Sequence, residues 1–235
     1  MPDMKLSVVI PVYNESSFLD KLIAKILEVD VGMEKELVFV DDCSTDGTRD
    51  ILKKLQVGHP GWKFLYHEKN QGKGAAIRNG FKMATGDILL IQDADLEYDP
   101  KDYKLLVAPI RDGKADVVYG SRFIEGDASR NFLYAKNYFG NKAMSALVKW
   151  TTNLRLTDVQ VCYKVFRKEV MDKIVIKENR FGADVELTMK VAKGKWRVCE
   201  VPISYYGRSV AEGKKVAARD GFRAVWCLLK YKFSS

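Results

Sequence analysis

Along the first half of the chain, apolar positions switch repeatedly between period 2 and period 3.6. Lys5-Leu6-Ser7-Val8-Val9-Ile10 is rich in strand formers and stops at Pro11, which predicts a first strand. Ser16 or Ser17 then stands where a cap is needed, and Phe18, Leu22, Ile26 and Val29 recur at helical spacing. Residues 36–40 read as a second buried strand, and Asp46 caps a helix through Leu55. Strands at 62–66, 88–91 and 116–119 alternate with helices at 75–84 and 100–111. Strand and helix in alternation four times over predict a parallel α/β sheet with right-handed crossovers. Beyond residue 125 the alternation loosens. A helix at 132–150, a strand at 161–166, a helix at 183–193 and a strand at 196–203 broken by Pro202 precede a loop and a last helix, 216–233.

The fourth strand carries the most distinctive polar sequence. Ile88-Leu89-Leu90-Ile91 runs into Gln92 and then Asp93-Ala94-Asp95, with Glu97 two residues on. If the extended chain continues, residues 93, 95 and 97 share one face. Three converging carboxylates repel unless a cation sits among them, and hard oxygens suit Mg²⁺ or Mn²⁺ shared with substrate phosphates. An isolated Asp-x-Asp is also what a solvated loop offers, but its place directly after so apolar a strand favours a metal site. In such sheets ligands bind outside the carboxyl ends of the strands. The acidic loops 41–46 and 93–97, and Tyr13-Asn14-Glu15, all fall at that edge.

Composition narrows the class. At 235 residues with 47% hydrophobic and 30% charged positions, the chain suits a soluble globular protein. No run approaches the roughly 18 apolar residues of a membrane span, and no secretory segment follows Met1, so the expected location is cytoplasmic. Cys43, Cys162, Cys199 and Cys227 form no C-x-x-C pair, as expected of reduced thiols. The net charge of +8 points to an anionic partner, without any nucleic-acid motif. Gly72-Lys73-Gly74 fits neither a dinucleotide fingerprint nor a phosphate loop, and reads as a closely packed helix start from which Lys73 reaches a phosphate. His59 and His67 have no partner pattern and read as structural.

Taken together and in order, Val9-Ile10-Pro11-Val12-Tyr13-Asn14-Glu15, Val40-Asp41-Asp42-Cys43-Ser44-Thr45-Asp46-Gly47-Thr48, Asn70-Gln71-Gly72-Lys73-Gly74, Asp93-Ala94-Asp95 and Gly120-Ser121-Arg122 resemble family 2 glycosyltransferases. Leu96-Glu97-Tyr98-Asp99-Pro100, Thr157-Asp158, Cys162-Tyr163-Lys164-Val165-Phe166, Glu200-Val201-Pro202-Ile203 and Tyr206-Gly207-Arg208 are similar to the dolichyl-phosphate mannose and glucose synthase branch. The resemblance implies a single GT-A domain, a Rossmann-like, mostly parallel sheet with helices on both faces. Its nucleotide-sugar half would be 1–124, its acceptor half 125–214 and its C-terminal amphipathic helix 215–235. It also implies a GDP- or UDP-sugar donor, a divalent metal and inversion at the sugar. By the same resemblance Pro11, Tyr13, Glu15 and Asp42 surround the nucleoside, and Asp93 lies beside the ribose and diphosphate. Asp95 and Glu97 complete the metal site, and Arg122 with Arg130 or Lys136 meets the acceptor phosphate.

Chemistry separates two acceptors. A sugar hydroxyl needs a general base, for which Asp158, Asp184 and Glu186 are candidates. A phosphate monoester, with its second pKa near about 6, is already ionised and needs cations to position it. The basic surplus at Arg122, Arg130, Lys136, Arg208, Lys214 and Lys215 favours a polyprenyl (dolichyl-type) phosphate over a hydroxyl of a glycan or small molecule. In the last helix, Phe222, Val225, Trp226, Leu229 and Phe233 share a stripe with Arg219, Arg223, Lys230 and Lys232 largely off it. That is the composition of a helix lying on an anionic membrane surface, and equally of a helix packed on the sheet. A peripheral position on the cytoplasmic membrane face is the matching expectation.

Overall fold

A computed structural model describes residues 4–124, 130–131, 135–208 and 218–233, with side chains described for 4–124, 138–208 and 221–233. In chain order the elements are β1 (Lys5–Val12), α1 (Leu19–Glu28), β2 (Glu34–Asp41), α2 (Thr48–Gly58), β3 (Lys63–Tyr66), α3 (Lys73–Met83) and β4 (Ile88–Ile91). A 3-10 turn (Pro100–Asp102) leads into α4 (Tyr103–Arg111), followed by β5 (Val117–Ser121), β6 (Arg130–Asn131) and α5 (Ala135–Thr151). β7 (Lys164–Arg167), α6 (Lys168–Met171), α7 (Gly182–Lys193), β8 (Val198–Pro202), β9 (Tyr205–Tyr206) and α8 (Ala218–Phe233) complete the chain.

Seven strands form one sheet in the order β3-β2-β1-β4-β7-β5-β8. Every pairing is parallel except those of β7, which runs antiparallel to both neighbours, with Leu89 opposite Phe166 and Val118 opposite Val165. Burial on both faces explains the unbroken apolar runs of β1, β2 and β4, whose central residues are almost fully enclosed. The same burial hides the direction of β7 from the sequence, because an enclosed strand reads alike either way. Right-handed crossovers put α1 and α2 on one face and α3 on the other, since the chain steps outward from β1 to β3 and then returns past β1 to β4.

That reversal makes the gap between the carboxyl ends of β1 and β4 the topological switch point, where open α/β sheets bind ligands. The last β1–β4 pair is Val9 with Ile91, and Gln92 donates its N–H to the Val9 carbonyl. Pro11 stands just beyond, where the ladder requires no further donor. The strands part there, and their loops face each other across a crevice.

Local structure departs from the pattern-based reading at several points, three of them beside the crevice. α1 starts without a serine cap, and the Glu15 carbonyl takes the N–H groups of Phe18 and Leu19 instead. α3 begins at Lys73, because Gly74 seats its backbone against the 178–183 segment. A Cβ there would lie 2.3 Å from the Glu178 carbonyl oxygen and 2.7 Å from the Ala183 Cβ. The chain after β4 is not extended. It turns at 94–97, with Leu96 at φ +61° and the Glu97 N–H donated to Asp95 Oδ1 at 3.1 Å. The period-2 argument for residues 93, 95 and 97 therefore fails, because an acidic side chain two residues back captures the backbone into a turn.

Candidate functional site

Both walls of the crevice are built by loops that lock onto their neighbours. On the β1 side, Asn14 sits at φ +52° and donates its N–H to Ser44 Oγ at 3.0 Å. Its side-chain oxygen accepts from Thr45 N–H at 2.8 Å, and Glu15 N–H reaches Thr48 Oγ1 at 2.9 Å. Tyr13 is left 37% exposed at the rim, while Glu15 turns inward and is nearly buried. On the β4 side, Gln92 Oε1 accepts the hydroxyls of Tyr103 and Tyr163, each at 2.7 Å. Gln92 Nε2 in turn holds the Asp93 carbonyl at 2.8 Å. A buried amide thus fixes where Asp93 begins.

Cations and carboxylates alternate across the crevice. Lys73, the first residue of α3, reaches Asp93 Oδ1 at 2.6 Å. Burial works against its ammonium, but Asp93 beside it, with Cys162 and Asp184, holds it charged well above the usual lysine range. Arg208 spans the crevice from the opposite end of the sequence, with Nη1 3.2 Å from Glu15 Oε2 and Nη2 3.0 Å from Asp95 Oδ2. Burial, then Asp93 and Glu97, push the Asp95 carboxyl up to about 7 against the pull of Arg208. Glu97 holds the arginine's segment: Oε1 takes the Arg208 N–H at 2.9 Å and Oε2 the Tyr205 hydroxyl at 3.0 Å. Arg208, expected on the acceptor side, lies over the two loops of the switch point.

This donor set fits a hard divalent cation in part. Asp93 and Asp95 supply oxygens, and the raised Asp95 marks a cluster still short of positive charge. Each carboxylate of the set is engaged here, Glu97 by Tyr205 and Arg208, Asp93 by Lys73, and Asp95 by Arg208. Among the described residues no three His, Cys, Asp or Glu side chains close round a common point.

Asp42 is nearly buried and committed. Oδ1 accepts from Gln71 N–H and pairs with His67 Nδ1, both at 2.7 Å, while Oδ2 accepts from Gly72 N–H at 2.7 Å. It secures the loop that delivers Lys73. His67 is structural as expected, bridging Asp42 and Asn79, and His59 stacks on Trp62. An open hollow of about 380 Å³ lies beside this loop, lined by Tyr66, His67, Lys69, Gln71 and others.

At the end of β5 lies an ion-pair assembly whose pairing the sequence did not reveal. Arg122, at the end of β5, forks onto Asp158: Nε to Oδ2 at 2.6 Å and Nη2 to Oδ1 at 2.8 Å, with the Arg122 N–H also on Oδ2. Burial opposes the guanidinium charge, and Asp158 more than restores it. The Tyr205 ring lies 5.0 Å from the guanidinium carbon. The resemblance placed Arg122 on the acceptor phosphate, and the structure shows it paired with Asp158. The other candidate bases are engaged too. Asp184 takes the fully buried Lys164 at 2.5 Å, and Glu186 takes Lys190 at 2.5 Å and the N–H groups of Lys177 and Glu178. A lysine inside the apolar run 161–166 was the available signal for Lys164, since lysine is almost never fully buried unpaired. Arg130 and Lys136 have side chains outside the described residues, and Lys214 and Lys215 lie outside them altogether.

The family model described as Glycosyl transferase family 2 matches residues 7–175. A dolichol-phosphate mannosyltransferase of Pyrococcus furiosus is 30% identical over 97% of this chain and 65% of its own length, so this chain spans just under two thirds of that relative. An undecaprenyl-phosphate mannosyltransferase of Micrococcus luteus is 29% identical over 90% of this chain and 87% of its own length. Among solved structures, glucosyl-3-phosphoglycerate synthase from Mycobacterium tuberculosis in complex with Mn²⁺, UDP and phosphoglyceric acid superposes with a TM-score of 0.74. It covers 98% of this chain and 79% of that one at 19% identity. The same enzyme is also known with Mg²⁺ and UDP. The shared architecture is the mostly parallel GT-A sheet that the motifs implied.

Proposed function

Because the chain belongs to glycosyl transferase family 2, we propose that it moves a hexose, mannose or glucose, from a GDP- or UDP-sugar to a polyprenyl phosphate, with inversion at the sugar. The observation that carries the acceptor class is the state of the carboxylates. Asp158, Asp184 and Glu186 each neutralise a cation. A carboxylate whose lone pairs already hold a guanidinium or ammonium is a poor general base, so none of these three suits an acceptor hydroxyl. A phosphate acceptor needs none. The relatives named for polyprenyl-phosphate mannosyl transfer support the same reading.

Lys73 and Arg208, at the two sides of the switch point, suit the donor diphosphate, with Arg208 able to pair bidentately with its oxygens. Asp93 and Asp95 would hold Mg²⁺ or Mn²⁺. Such an ion, when bound, supplies Lewis-acid stabilisation of the departing diphosphate. Glu97 keeps Arg208 in place, Gln92 sets Asp93, and Asp42 fixes the loop behind Lys73. Tyr13, Pro11 and Glu15 form the rim next to the nucleoside. A protein with a lipid acceptor works at a bilayer, and we place it peripherally on the cytoplasmic face.

The test is transfer of labelled sugar from a panel of GDP- and UDP-hexoses to polyprenyl phosphate, free glycans and sugar alcohols, with and without chelator. Transfer to the polyprenyl phosphate alone, abolished by chelator and by Asp95→Ala with the fold intact, is expected. Preferred transfer to a hydroxyl acceptor would overturn the reading.

A further inference from the structure

One buried ion pair stands directly behind the crevice and has no part in the chemistry proposed above. Lys164, fully enclosed at the start of β7, donates to Asp184 Oδ1 at 2.5 Å and to the Val161 carbonyl. Its ammonium lies 5.6 Å from the centre of the Tyr119 ring. Stability alone does not account for such a pair. Taking two charges out of water offsets much of what their attraction returns, and well-packed apolar residues in their place are often neutral or better. A lysine inside an apolar strand is therefore to be understood through what it does to its partner.

That partner faces the donor side. Asp184 lies in the first turn of α7, where the helix dipole favours an acid, and its side chain is 14% exposed where that of Lys164 is 0%. The start of α7 abuts the start of α3. A Cβ on Gly74 would lie 2.7 Å from the Ala183 Cβ, and the Ala75 N–H is donated to the Asn179 carbonyl at 3.1 Å. Lys73 precedes Gly74 and Asp184 follows Ala183, so the two charges flank one helix contact. Electrostatics agrees with this placement. Burial lowers the Lys73 pKa, while Asp93, Cys162 and Asp184 together raise it above the ordinary value. The buried Cys162 thiol, raised by burial first, has the same neighbours Asp93, Lys73 and Asp184. Charge therefore alternates from the core to the crevice: Lys164, Asp184, Lys73, Asp93. In the proposed function Asp93 is shared with the donor's cation, whereas Asp184 is anchored by Lys164 and stays behind Lys73.

We infer that Asp184 is a positioning residue for the donor diphosphate: anchored by Lys164, it holds the Lys73 ammonium in place on the crevice side. The inference deepens the proposed donor site and rests on it, because only a diphosphate ligand gives Lys73 something to meet. It also gives the buried Lys164 a purpose, as the group that fixes the carboxylate.

Calorimetric titration in Mg²⁺ with GDP or UDP, whichever binds the parent more tightly, and with the matching nucleoside tests it. Asp184→Asn with Lys164→Met removes the pair whole and strands neither charge. That variant should bind the nucleoside diphosphate about five- to tenfold more weakly and the nucleoside as the parent does. Asp184→Asn alone should melt earlier, because Lys164 is stranded, yet show the same selective loss. In a Lys73→Met background neither exchange should weaken binding further, as expected of groups that act through one another. Undiminished diphosphate binding in the folded variants, a parallel loss of nucleoside binding, or a full additional loss in the Lys73→Met background would each overturn the positioning role. Lys73→Met that binds the diphosphate as tightly as the parent would instead overturn the donor-side reading on which the inference rests.

Discussion

A buried fork of opposite charges governs Arg122. Its side chain is 7% exposed and that of Asp158 is fully enclosed, so neither can be deleted without stranding the other. Breaking such a pair costs about 3–5 kcal/mol, whereas exchanging both partners for apolar groups is often neutral. Arg122→Ala is accordingly expected to lower unfolding stability by that amount in urea titrations. Arg122→Met combined with Asp158→Leu should recover most of it. Unchanged stability with a raised KM for the acceptor phosphate would return Arg122 to the role that the motif suggested.

β2 supplies the equivalent fixture at the amino end of the sheet, opposite the crevice. Glu36 accepts from Ser7 Oγ at 2.5 Å on β1 and from Thr85 N–H and Oγ1, just before β4, and pairs with Lys63 on β3 at 3.0 Å. Three strands and the loop before β4 are thereby tied through one carboxylate. Burial raises its pKa, but the bonds from Ser7, Thr85 and Lys63 outweigh burial and hold it at about 2, below the ordinary 4.5. A depressed carboxyl stabilises the fold at pH above its unfolded value and loses that contribution as the pH falls from about 4.5 through about 2. Glu36→Gln should therefore cost about 1–3 kcal/mol at pH 7. The gap between variant and parent should narrow on acidification. An equal gap at pH 7 and pH 3 in urea titrations would show that ionisation is not what ties the strands.

Across the whole molecule, one segment joins the C-terminal helix to the crevice. Glu178 holds Arg223 at 2.8 Å, Lys230 at 3.1 Å and the Tyr231 hydroxyl at 3.2 Å, all on α8. The next residue, Asn179, accepts the Ala75 N–H through its carbonyl, two positions beyond Lys73. Glu178→Ala should reduce stability by about 1–3 kcal/mol, less than a fully buried pair because the freed cations regain water. Amide exchange in α8 should quicken while β1 stays protected. Exchange that accelerates evenly over the chain would mean that α8 is held by its apolar inner face alone.

The strands, the helices and the acidic loops were legible in the chain because hydrophobic period is a local property. A parallel sheet then sends every strand-end loop to one edge, so the motifs 13–15, 41–48, 70–74 and 93–97 had to gather there. Even β4 matches its expected span of 88–91. What no local pattern contains is the partner of each charge. Asp42 stands by resemblance among the nucleoside contacts, and three neighbours bond it once the 67–72 loop folds back. The pairing of Arg122 with Asp158, 36 positions on, is likewise set in space alone. Arg208 reaches Asp95 from 113 positions away. The turn at Leu96 likewise depends on a side chain capturing the backbone, which a strand period cannot express. Sequence determines which groups stand at the edge, since that follows from burial along each element. Only the tertiary structure decides which of them remain for a ligand, because Coulombic pairing joins groups by distance in space and ignores their order in the chain.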